Sequence, residues 1–94
     1  MKRIFKYRVP LTSLDINDAF EVVMVRDAEI LTVQVQDGRP NMWAIIDDDQ
    51  PQDQVRRFNV RGTGHAFTGT EGRYIGTFQV AEGMLVFHLF EVPP

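Results

Sequence analysis

Short runs of β-branched and aromatic residues follow one another between turn-forming residues, and no window carries the period of an amphipathic helix. This pattern restricts the chain to an all-β architecture of antiparallel strands, a sandwich or a partly open barrel. About seven strands are expected. They run from Arg3 to Val9, Phe20 to Val25, Ala28 to Gln36, Met42 to Asp47, Val55 to Arg61, Tyr74 to Val80 and Met84 to Val92. Phe5, Tyr7 and Val9 alternate with Lys6 and Arg8 in the first, as suits a half-exposed edge strand closed by Pro10. In the third, Leu31, Val33 and Val35 are expected inward and Thr32, Gln34 and Gln36 outward. Asp37-Gly38, followed by Arg39-Pro40, signals a tight turn into the fourth strand, where Trp43 and Ile45 extend the same core face. In the fifth, Phe58 and Val60 point inward. Both faces of the last strand are apolar, so it lies centrally or under a partner subunit. Leu11 to Ala19 reads as a polar connection with room for one helical turn.

The 94 residues (1–94) form one domain, close to the size at which a chain first buries enough apolar surface to fold unaided, so a homo-oligomer is expected. There is no cysteine, which removes disulfides and thiolate metal sites and is compatible with a reducing cytosol. The start, MKRIFKYRVP, has basic residues but no apolar run behind them, so neither a signal peptide nor a membrane anchor is expected. A net charge of −3 disfavours a general nucleic-acid binder. The ten cations are nevertheless concentrated near the start and around one glycine-rich loop, and all but Lys2 and Lys6 are arginines. Arginine grips phosphate or carboxylate with a two-pronged fork.

That loop lies within FNVRGTGHAFTGTEGRYIGTFQ, from Phe58 to Gln79. Gly62, Gly64, Gly69 and Gly72 supply backbone freedom, and Thr63, Thr68, Thr70 and His65 supply hydrogen-bonding groups beyond what a simple hairpin needs. Arg57, Asn59, Arg61, Thr63 and His65 fall on alternate positions and line one face if the strand stays extended. Glycines 62 and 64 would let backbone N–H groups approach an anion, with Arg73 and Tyr74 at the far side of the loop. The lysine-serine/threonine pair and helix of a Walker loop are missing. The plainer reading is a long connection whose glycines take positive φ and whose His65 caps a carbonyl. His88, alternating with Val86 and Phe90, reads as a hydrogen-bonded core histidine. Asp47, Asp48, Asp49 and Asp53 lack the glycine and terminal glutamate of an EF-hand and read as a solvated acidic turn. No metal, cofactor or catalytic set is expected, and phosphoester hydrolysis by His65 is the weakest of the readings.

The segments KYRVP, ILTVQVQDGRPNMWAIID, FNVRGTGH, YIGTFQ and LVFHLFEV together resemble a family of small uncharacterised proteins of tailed bacteriophages and prophages. The resemblance spans nearly the whole chain, and GTGH and YIGTFQ are its most specific parts. Val25, Arg26, Asp27 and Ala28 stand where that family often has a Pro-x-Gly-Ala turn. The resemblance implies a phage or prophage source, action in the host cytoplasm and an accessory role, with no catalytic residues to carry over. Two functions are expected. One is non-enzymatic binding of an anionic, nucleotide-like ligand at Arg57, Asn59, Arg61, Gly62, Thr63, Gly64, His65, Arg73 and Tyr74, with Trp43, Phe67 or Tyr74 available to stack on a base, so that a host defence signal is sequestered. The other is a protein-interaction module that engages a host protein or a phage component through an edge strand.

Overall fold

The computed structural model describes residues 1–11 and 19–93. Seven strands are present among them: β1 (Lys2–Arg8), β2 (Ala19–Met24), β3 (Glu29–Gln36), β4 (Arg39–Asp47), β5 (Gln54–Gly62), β6 (Arg73–Val80) and β7 (Leu85–Glu91). They form two antiparallel sheets, one of three strands in the order β1-β4-β3 and one of four in the order β2-β5-β7-β6. The sheets pack face to face as an all-β sandwich and do not close into a barrel. The helical turn expected between Leu11 and Ala19 falls on residues 12–18, outside the described residues.

β1 is an edge strand and β7 lies between β5 and β6, which accounts for the polarity of the first and the two apolar faces of the second. The core is filled from both inner faces by Met24, Met42, Ala44, Ile46, Phe58, Val60 and Leu89, each at most 1 % exposed. Phe58 and Val60 take the inward positions that the alternation assigns them.

Two inward assignments fail, and both trace to the β3–β4 hairpin. The turn takes two residues rather than the five that separate Gln36 from the expected strand start at Met42, an odd difference that exchanges the two faces of the strand. Only Asp37 (φ 53°) and Gly38 (φ 76°) are left-handed, so Gln36 pairs with Arg39 and Val35 with Pro40. With Val35 and Val33 facing inward, this register sends Pro40, Met42, Ala44 and Ile46 inward and leaves Trp43 and Ile45 on the outer face, half-buried. Further back, a bulge separates Ile30 from Thr32. Leu31 is the extra residue, 45 % exposed, and Ile30 takes the core position expected of it.

The sheets approach most closely where β6 crosses β3. A Cβ on Gly76 would stand 2.8 Å from Val33 Cγ1, so the absence of a side chain there lets the strands meet. On the other side of the sandwich, the buried Tyr7 hydroxyl accepts a hydrogen bond from Val25 N–H at 3.1 Å.

Candidate functional site

Because Phe58 and Val60 point into the core, Arg57, Asn59 and Arg61 stand on the outer face of the four-stranded sheet, as the alternation predicts. β5 ends at Gly62, and the chain does not continue extended. Thr63 N–H donates to Val86 O at 3.0 Å and His65 N–H turns back to Gly62 O at 3.1 Å, so His65 caps a carbonyl through its backbone. Its ring lies 3.4 Å from where a Gly62 Cβ would be, which makes Gly62 a platform for His65.

Residues 63 to 72 then fold over the outer face and bring one carboxylate, Glu71, to a position 1 % exposed. Thr68 N–H (2.8 Å), the Thr68 hydroxyl (2.9 Å) and Arg61 Nε (3.0 Å) all donate to its Oε2, and Gly69 N–H (2.8 Å) donates to Oε1. Asn59 Nδ2 donates to the Glu71 carbonyl at 2.8 Å. The loop builds an anion cradle from the Thr68 and Gly69 N–H groups and Arg61, and not from the backbone at Gly62 and Gly64. Its occupant is the chain's own Glu71. Desolvation pushes this carboxyl up, but the Thr68 and Arg61 donors outweigh it and hold it at about 2, against an ordinary 4.5. Gly72 closes the loop at φ 116°, where a Cβ would stand 2.1 Å from Glu91 O, so no other residue fits.

His88 is hydrogen-bonded as expected, but on the outer face rather than in the core. Its Nε2 lies 2.8 Å from Thr63 Oγ1 and its Nδ1 2.9 Å from Thr77 Oγ1, whose other neighbour is the Tyr74 hydroxyl. Thr63 Oγ1 also reaches Val86 O at 3.2 Å, so the network closes when Thr63 donates to that carbonyl, Nε2–H donates to Thr63 and Thr77 donates to Nδ1. The Phe67 and Tyr74 rings each lie 5.7 Å from Phe90, and Trp43 belongs to the other sheet.

The other expected arginines collect in a cleft of about 650 Å³, which exists because β5 begins four residues before β7 reaches it, at the Phe58–Glu91 pair. Arg56 and Glu91 face inward at its base. Arg56 Nη2 donates to Glu91 Oε1 at 3.0 Å, Nε donates to Oε2, and Nη1 donates to Ala28 O at 2.7 Å. Their side chains are 15 % and 10 % exposed, a buried two-pronged pair. Arg57 and Arg73 stand on the rim, 71 % and 65 % exposed, and among the described residues are tied only by an exposed bridge from Arg57 to Glu21 (3.0 Å) and a long contact from Arg73 to Glu91 (3.3 Å). Val55, Val92 and Pro93 supply apolar wall.

The expected site is therefore divided. Arg57 and Arg73 share the cleft, whereas Asn59, Arg61, Gly62, Thr63, Gly64, His65 and Tyr74 belong to the loop and its supports. Sequence reasoning missed Glu71, Arg56 and Glu91. Arg56 shares its parity with Phe58 and Val60, and Glu91 with Phe87 and Leu89. Two inward charges of opposite sign are the signal that pairs them.

The acidic turn also has a partner. Asp47, Asp48 and Asp49 converge on the Met1 ammonium at 3.2, 3.0 and 3.5 Å, and Arg3 reaches Asp48. Hydrogen bonds to Asp48 and then Asp47 raise the ammonium to about 10 from 8.0.

The model of the family described as Domain of unknown function (DUF7352) matches residues 1–94. No curated protein and no solved structure matches the chain.

Proposed function

We propose, for a chain that belongs to this family of unassigned function, non-enzymatic binding of a small anionic, nucleotide-like molecule in the cleft between β5 and the end of β7. The observation that carries the reading is the pair of exposed arginines, Arg57 and Arg73, on the rim of a cavity of about 650 Å³ with an apolar wall. That volume lies within the range of small-molecule sites, roughly 300–1,000 Å³. Exposed ion pairs are worth little, so Arg57 is free to exchange Glu21 for a phosphate. The buried Arg56–Glu91 pair positions the rim and is not available to the ligand. Arg61, assigned to the ligand from sequence, is committed to Glu71.

The resemblance to phage and prophage proteins supports an accessory role in a bacterial host, with sequestration of a signalling nucleotide as the activity. Calorimetric titration with mono-, di- and cyclic nucleotides tests the binding. Arg57→Ala and Arg73→Ala are each expected to weaken it by about tenfold, and raised salt to weaken it further. No heat with any nucleotide, or wild-type affinity in both variants, overturns the reading.

One observation favours the protein-interaction alternative. Edge strand β1 exposes Ile4 (62 %) and Phe5 (37 %). A polypeptide that copurifies with wild type, and is lost when a proline is placed in β1, supports that function instead.

A further inference from the structure

A second cavity lies at the other end of the three-stranded sheet, with a volume of about 430 Å³. Its walls come from the exit of β1 (Val9, Pro10, Leu11), the β3–β4 turn and the β6–β7 turn. Both turns hold non-glycine residues in the left-handed region, Asp37 at φ 53° in one and Ala81 and Glu82 at φ 53° and 56° in the other. Backbone held this way marks places where the surrounding fold dictates conformation.

The chemistry of the lining is one-sided. Among the described residues that line it, Arg8 and Arg39, both exposed, contribute the only charged side chains, and the rest are aliphatic, proline or glycine. Asp37 and Glu82 adjoin the lining residues Gly38 and Ala81 in sequence, yet neither lines the cavity. The other six arginines each contact a carboxylate, whereas no described carboxylate lies within salt-bridge distance of Arg8 or Arg39. In a protein of net charge −3, two arginines at the mouth of an apolar recess, with no acid among its described lining residues, are poised to take an anion.

We propose that this recess binds a small amphipathic anion, its carboxylate or phosphate monoester held between Arg8 and Arg39 and its hydrocarbon part against Val9, Leu11, Pro40 and Val80. This site shares no residue with the β5–β7 cleft.

The test is an amide-resolved NMR titration of the whole chain with octanoate and, separately, with octyl phosphate. Saturable shifts are expected at Val9, Leu11, Gly38 and Ala81, and Arg8→Gln or Arg39→Gln should weaken binding about tenfold while the spectrum stays dispersed. A response to one compound alone supports the site and assigns its headgroup. Arg57→Ala with Arg73→Ala should titrate here like wild type, so failure of the cleft and failure of the recess read out separately. No shift at these amides with either compound at millimolar concentration, or unchanged affinity in both glutamine variants, overturns the proposal.

Discussion

Glu71 keeps its charge in a place almost without water because four donors converge on it, and the acidity of that group becomes a property of the fold. Its carboxyl stands at about 2 when folded, below its ordinary 4.5. The unfolded chain therefore takes up the proton first, and the stabilisation is complete above about 4.5 and is lost as pH falls toward 2. Thermal melts of wild type and Glu71→Gln across that range are expected to converge at the acid end and to separate progressively above it. Parallel curves would show that the carboxylate's charge is immaterial. Arg61→Ala leaves the same carboxylate buried without its cation and should lower the melting temperature by roughly 10 °C. An earlier loss of fold, rather than a lost ligand contact, is what that variant should report.

At the scale of elements, much of the architecture was legible and one hairpin was not. All seven strands were recoverable from β-branched and aromatic runs between turn signals, and in β5 burial on one face leaves a direct imprint on residue choice. The inward face of β4 is misread when the strand is started at Met42, because five residues then follow Gln36 and Val35 falls opposite Trp43, whereas the two-residue turn at Asp37-Gly38 ties Val33 to Met42 and so dictates the parity of the whole strand. The Leu31 bulge left no such trace. A leucine between isoleucine and threonine looks like any core position, and only the partner strand reveals the extra residue. Leu31→Ser should accordingly change stability by no more than about 0.5 kcal/mol, whereas Met42→Ala should cost about 2–5 kcal/mol in denaturant unfolding. Equal costs would contradict the register. Alternation puts Arg61 on the outer face beside the loop, but neither the donors Thr68 and Gly69 nor the occupant Glu71 is legible, because Glu71 meets Arg61 only through a fold-back that alternation cannot describe.

Over the whole molecule, charge is arranged so that an acidic protein shows arginines at two recesses at different ends of its sheets. The molecule measures 41 × 30 × 19 Å along its principal axes and is thin in one direction. Its two leaves touch most closely at Gly76 and Val33, where a missing methyl group brings β6 onto β3, while the far margin is joined by the Tyr7–Val25 hydrogen bond. The object is bound like a book, with a spine on one side and a clasp on the other. Tyr7→Phe unfastens the clasp, so amide exchange should quicken along β1 and β2 and stay slow along β3 and β6; uniform quickening would mean there is no spine. If exchange divides in this way, the two pages part first along the fore-edge, where β1 and β2 lie.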